Sequence, residues 1–297
     1  MEFIEIEAFI AVADHGSFTR AAEALHISQP AISRRIDLLE MELEAPLFER
    51  LRSGARLTDA GEAFLPHARR ALAELRDGTA AVQHLATGER GTITLAIVGT
   101  LASTSLIEHI KSFRAAHPAI RLMLRTANSN EVGRLVSAGE AHLGLRYFDD
   151  PSPGIETTRI AEDRLVIAGA ADSRLVPARV LTASDLEGVP WIGFPAGTGS
   201  SGEPFARAVD RYLLQLGLAD AERIAIDSLT AQKRLIEADF GIGIVLASAI
   251  EEEVRLGTIR LLDVDGFEGS APVSLVRRAG GYLSPAMRQL IAALGAT

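Results

Sequence analysis

Residues 197–202 read Gly-Thr-Gly-Ser-Ser-Gly, a literal G-x-G-x-x-G between a β-type run at 191–194 and a helical pattern from Phe205 to Leu216. Glycines at that spacing let a backbone wrap a pyrophosphate at a helix N-terminus. Asp227, at the end of the next β-type run, stands where a ribose-binding acid would. Two prolines pull the other way. Pro195-Ala196 separate the run from the first glycine, and Pro204 follows the third, so the helix is expected to begin near Glu203, after the glycines. On pattern alone two readings stand: the cofactor loop of a Rossmann-like nucleotide-dependent oxidoreductase, or an anion-binding nest. In the nest, Thr198, Gly199, Ser200 and Ser201 would offer hydroxyls and free N–H groups.

Similar residues recur where other β-type runs end. Thr100 and Ser103 follow the run 92–98, Asn128 follows 120–127, and Ser228 follows the run ending at Asp227. Arg146, beyond His142-Leu-Gly-Leu145, is a forked donor suited to a carboxylate. Ser, Thr and Asn at such places also cap helices, so each has a purely local role open to it. H-E-x-x-H, G-x-S-x-G and G-x-x-x-x-G-K are absent, and the seven His are scattered without metal-ligand spacing. Outside the glycine loop, these absences predict no enzyme, no metal and no cofactor.

The elements that must position these residues alternate. A β-type run at 92–98, a helix with Leu106, Ile107, Ile110 and Phe113, a run at 120–127, a helix near 131–139 and a run at 141–148 make βαβαβ. The run 163–170 opens a second set through 191–194, the helix 205–216, the run 223–228, a helix from Leu229 and the run 241–247. Two such halves in tandem predict parallel sheets in two lobes. Ligands of open α/β sheets gather at the carboxyl ends of the strands, so the loops above would face one cleft.

Residues 1–58 are different. An apolar face on Phe3, Ile6, Phe9 and Ile10 ends near Gly16; Ser17 caps Phe18–Leu25; Ser28 starts a third helix with Pro30 in its first turn. Two β-type runs around Ser53-Gly54 read as a hairpin. Helix, tight turn, helix over 18–43 has the geometry of a helix-turn-helix, although a plain helical bundle has the same pattern. From Asp59 to Thr87 one long helix is expected, roughly 40 Å at 1.5 Å per residue. Leu65, Ala68, Leu72, Leu75, Thr79, Val82 and Ala86 form an a/d seam on it, and Pro66 falls in its second turn. The seam alone fits either a partner helix or packing within the chain.

Here the sequence resembles a family. Gly16-Ser-Phe-Thr-Arg-Ala-Ala-Glu-Ala-Leu25, Ser28-Gln-Pro-Ala-Ile-Ser-Arg-Arg-Ile36, Leu47-Phe-Glu-Arg50 and Leu57-Thr-Asp-Ala-Gly61 are similar, in order and spacing, to the winged helix-turn-helix of LysR-type transcriptional regulators. The later layout resembles the same family throughout, with its motifs concentrated in the first 61 residues. The resemblance implies an α plus α/β chain: a winged helix-turn-helix domain over 1–58, a linker and dimerisation helix with hinge over 59–90, and a two-lobed periplasmic-binding-protein-like effector domain over 91–297. Lobe 1 would take about 91–161 with 267–297, and lobe 2 about 162–266.

It further implies that Ser28, Gln29, Pro30, Ser33 and Arg34 read double-stranded promoter DNA, with Arg50 and Arg52 on the wing and Arg20 flanking. The seam becomes a homodimer interface within a homotetramer, and RNA polymerase a partner. The loops with Thr100, Ser103, Asn128, Arg146, Thr198, Gly199, Ser200, Ser201 and Ser228 become effector contacts for a small metabolite, read here as an organic acid. The glycine loop then belongs to the effector cleft.

Bulk properties fit this with one tension. There is no cysteine, the first residues are acidic rather than signal-like, and no apolar run approaches the ~18–20 residues of a membrane span, so a cytoplasmic protein with no membrane partner is expected. Net charge is −9, and residues 1–90 hold ten Arg against fifteen acids, so a DNA-binding face must be local.

Overall fold

A computed structural model describes residues 1–51, 54–87, 91–103, 106–195 and 203–295. The chain divides into two compact units, the first built on Met1–Gly88 and the second on most of the remainder.

In the first unit α1 (Phe3–His15), α2 (Phe18–Ala24) and α3 (Gln29–Glu42) precede the hairpin β1 (Phe48–Leu51) and β2 (Gly54–Leu57), then α4 (Asp59–Thr87). The Ser17 hydroxyl accepts from Arg20 N at 3.4 Å and the Ser28 hydroxyl from Ala31 N at 3.3 Å, so both expected caps start their helices. Phe9, Ile32, Ile36, Leu39 and Leu47 are fully buried, and the Phe9 ring centroid lies 5.4 Å from Phe48 and 5.2 Å from Phe64. The hairpin is held to the end of α1 by Ala55 N donating to Gly16 O at 2.8 Å. Gly54 is required there: a Cβ would come within 2.3 Å of Gly16 O, and its φ is +142°. Helix α4 is unbroken from Asp59 despite Pro66, since one early proline removes a single turn's hydrogen bond.

The second unit is built on a seven-stranded mixed sheet. Its strands are β3 (Gly91–Val98), β4 (Ile120–Ala127), β5 (Leu143–Tyr147), β6 (Ile155–Ala170), β9 (Gly243–Leu246), β10 (Ile259–Leu262) and β11 (Gly269–Arg278). β7 (Trp191–Gly193) and β8 (Arg223–Ala225) form a parallel pair beside it. The helices are α5 (Leu106–Ala116), α6 (Ser129–Ser137), α7 (Pro204–Gln215), α8 (Leu229–Glu237), α9 (Glu251–Leu256) and α10 (Pro285–Ala293). β3 pairs in parallel with β4 and β5, as the βαβαβ pattern predicts.

The second set is parallel where β7 pairs with β8 and where Trp191 bridges Ile242 just before β9; the correction concerns the strand expected to open it, β6. β6 runs antiparallel to β9, β10 and β11, and β11 antiparallel to β5, so two long strands pass through both halves of the domain. β6 also begins at Ile155 rather than 163, because its first half is largely solvent-facing and lacks the apolar run that marks its second.

Candidate functional site

Two regions gather the candidate residues. The first is the exposed side of α3. Burial of Ile32, Ile36 and Leu39 fixes the rotation of the helix, which turns Ser28, Gln29, Pro30 and Arg34 outward and leaves Ser33 half-buried. Gln29 Nε2 donates to Ser33 Oγ at 3.0 Å, so the two amide- and hydroxyl-bearing side chains present one edge. Arg20 on α2 is exposed as well. Arg50 on β1 is exposed, pairs with Asp37 of α3, and places its guanidinium 4.9 Å from the Phe18 ring centroid. An exposed pair of that kind is worth at most about 1 kcal/mol, so a phosphate can displace Asp37. Arg52 lies outside the described residues.

The acidic balance of this unit has a local explanation. Glu40 accepts from Leu47 N at 2.6 Å and Phe48 N at 3.1 Å, and so holds the start of the hairpin. Asp14 pairs with Arg69, and Glu49 with Arg56 at 2.8 Å. These carboxylates are spent on the fold.

The second region is a cavity of about 800 Å³ in the α/β unit. It is lined by Val98, Gly99 and Thr100 after β3, by Thr126–Asn128 at the end of β4, and by Tyr147 of β5. The later part of the chain adds Phe194, Pro195, Glu203, Phe205, Asp227, Leu229, Thr230, Gln232, Lys233, Val245, Leu246 and Ala249. Strand ends thus supply the lining from both halves of the domain, as the carboxyl-end rule anticipates.

The structure brings Thr100 and Asn128 to this cavity. Asn128 also accepts from Glu131 N at 2.9 Å, opening α6. Ser228 caps α8 through Ala231 N at 3.4 Å and lies outside the lining. Thr198, Gly199, Ser200 and Ser201 lie outside the described residues, as does the side chain of Ser103.

Arg146 stands apart from the lining. Its side chain is 2% exposed, its guanidinium is paired with Asp150, and it does not line the cavity. Burial draws it below the ordinary arginine value while Asp150 opposes that shift. Alternation on β5 cannot reveal such a partner, since all five residues of that strand are buried. Burial likewise pushes the Tyr147 phenol up.

Two polar groups on the lining carry signals that were not weighed in the sequence. Glu203, before a proline that opens a helix, has the position of an N-cap: its carboxylate accepts from Phe205 N at 2.6 Å and Ala206 N at 3.3 Å. Lys233, one of two lysines in the chain, donates to Glu253 at 2.7 Å and to Ala249 O at 3.2 Å. Helix α7 begins at Pro204, after the glycines, with a carboxylate already on its first N–H groups. A dinucleotide pyrophosphate would meet that negative charge at the one place a Rossmann unit needs open donors.

A helix-turn-helix head with a hairpin wing, followed by a two-lobed α/β domain with a cleft at its strand ends, defines a DNA-binding transcriptional regulator that carries its own ligand-binding domain. The chain belongs to the LysR family: residues 3–62 match the bacterial regulatory helix-turn-helix protein, lysR family, and residues 86–297 match the LysR substrate binding domain.

It is 31% identical over 278 residues to the transcriptional regulator TcbR of Pseudomonas sp. (strain P51), covering 94% of this chain and 93% of that one. It is 28% identical over 282 residues to the RuBisCO operon transcriptional regulator of Allochromatium vinosum, covering 95% and 91%. Among solved structures it is similar to CbnR, a LysR family transcriptional regulator, at 29% identity and a TM-score of 0.67, covering 99% of this chain and 98% of that one. Full-length CbnR complexed with its target DNA matches with a TM-score of 0.66. None of these relatives supports the oxidoreductase alternative.

Proposed function

We propose that this regulator reads a dyad-symmetric promoter site with α3 and answers to a small carboxylate-bearing metabolite in the α/β cleft. The division falls near residues 58 and 90, with the lobes exchanging near 162 and 266. Ser28, Gln29, Pro30, Ser33 and Arg34 contact the major groove, Arg20 flanks them, and Arg50 and Arg52 contact the backbone from the wing. Thr100, Asn128 and the helix-start N–H groups of the cleft take the effector, with Ser103, the 198–201 loop and Ser228 around them. Arg146 serves the fold instead.

Two chains pair through α4. Its seam divides in support of this: Ala68 and Leu72 are buried in the chain's own head, whereas Leu75 and Val82 are 55% and 68% exposed. Dimers associate into a homotetramer that meets RNA polymerase in the cytoplasm, and the protein is not an enzyme. The effector biases two arrangements of the assembly by binding one more tightly.

The cavity at the strand ends, with Thr100, Asn128, Glu203 and Lys233 on its lining, is the observation that carries the ligand-responsive reading. A thermal-shift screen of full-length protein against metabolites, run beside an NADH fluorescence titration, tests it. Stabilisation by a small ligand without NADH quenching is expected. Micromolar NADH quenching without DNA binding would overturn it.

A further inference from the structure

We infer that the ligand of the cleft carries an ammonium group, paired with Asp227, in addition to any carboxylate; its chemical class is a zwitterion of the amino-acid type. The inference rests on the proposed reading of this cavity as the effector site and concerns what that site selects.

Besides the Tyr147 phenol, which burial holds neutral, three ionisable residues line the cavity among the described residues: Glu203, Asp227 and Lys233. Two are already committed. Glu203 accepts from three backbone N–H groups, those of Ser129, Phe205 and Ala206. Lys233 gives its charge to Glu253 and a further hydrogen bond to Ala249 O. Asp227 is exposed and has neither hydrogen bond nor ion pair among the described residues. The forked cation expected to balance a ligand anion, Arg146, is spent on Asp150 away from the lining.

The free charge at this cavity is therefore negative. A nitrogen-free dicarboxylate would bring like charge to an unpaired carboxylate. An ammonium would pair with it. Next to Asp227, Leu229 and Thr230 open α8 and line the cavity; Ser228 takes the amides of Ala231 and Gln232, and those of Leu229 and Thr230 have no partner within the helix. An ammonium and a carboxylate one carbon apart match an acid beside a helix start. Phe194 and Phe205, edge to face at 6.2 Å, supply an apolar wall for a side chain.

The test is a binding screen of full-length protein by thermal shift and calorimetry. It uses the twenty proteinogenic amino acids, their deaminated acids and their decarboxylated amines, each against wild type, Asp227→Asn and Asp227→Glu. At least one amino acid is expected to bind, its deaminated acid about tenfold or more weaker, as for loss of one charge-assisted contact. Asp227→Asn should weaken the amino acid by a similar factor, and Asp227→Glu should restore part of it, which a folding defect would not. Binding confined to nitrogen-free acids, or amino-acid binding indifferent to Asp227→Asn, overturns the inference while leaving a carboxylate effector standing. Binding by amines alone overturns the zwitterion, and removes the carboxylate from the proposed function, leaving only the ammonium paired with Asp227. Binding by no compound of the three sets overturns both.

Discussion

The Glu203 carboxylate joins two helix starts: one oxygen lies 3.3 Å from Ser129 N at the beginning of α6, and the other receives the first amides of α7. Ser129 is fully buried, so this contact is made inside the protein, where a charge-assisted hydrogen bond is worth most. Glu203→Ala removes the cap and the link together and should cost about 1–2 kcal/mol in urea denaturation. Glu203→Gln, similar in shape but uncharged, should cost less and tighten binding of carboxylate ligands. A calorimetric titration showing weaker carboxylate binding to the Gln variant would contradict this role.

Arg146 and Asp150 form a buried pair, at 2% and 4% side-chain exposure, and α6 makes room for it at Gly133, where a Cβ would approach Asp150 Oδ2 to 1.9 Å. Arg146→Met leaves a buried carboxylate unpaired and should destabilise the α/β unit by about 3–5 kcal/mol. Gly133→Ala should act in the same direction, at about 1–3 kcal/mol. Ligand affinity measured on the folded fraction should be unchanged by Arg146→Met. A loss of affinity without a loss of stability would return Arg146 to the binding site.

Leu75 and Val82 lie on one stripe of α4 and are exposed in the single chain. Charging that stripe with Leu75→Glu and Val82→Glu should shift the protein from dimer or tetramer to monomer in light scattering. DNA affinity should fall with it, because the second head no longer adds effective concentration. An unchanged mass would place the self-association surface elsewhere.

Asp185 is held well below the usual carboxylate range, first by hydrogen bonds from Arg179 and then by those from Thr182 N and its hydroxyl. A group depressed on folding stabilises the native state above its unfolded value, about 4, and that contribution is lost as pH falls toward the folded value. Stability of the α/β unit should therefore be level from pH 7 to about 5 and decline below about 4, and Asp185→Asn should make the acid limb shallower. Denaturation midpoints across that range check the sign.

Much of this was readable from residue order. Ser17, Ser28 and Pro30 announced the helix starts because capping and proline chemistry are local. The strand-end position of Thr100 and Asn128 followed from βαβ alternation. The antiparallel course of β6 and β11 was not legible, since pairing direction depends on residues more than a hundred positions apart. The fate of Arg146 was hidden for a related reason: a forked cation after a strand looks the same whether its carboxylate is a ligand's or its own Asp150. Glu203 and Lys233 were visible as residue types but acquired meaning only with their partners.

Selection of bound sequences from random double-stranded DNA by full-length protein, followed by anisotropy titrations of wild type and Arg34→Ala, tests the central claim most directly. The account predicts enrichment of a dyad-symmetric site, a strong salt dependence, and a loss of about 1–3 kcal/mol on that site for Arg34→Ala. Enrichment of no sequence, or a site bound by Arg34→Ala as tightly as by wild type, would contradict it.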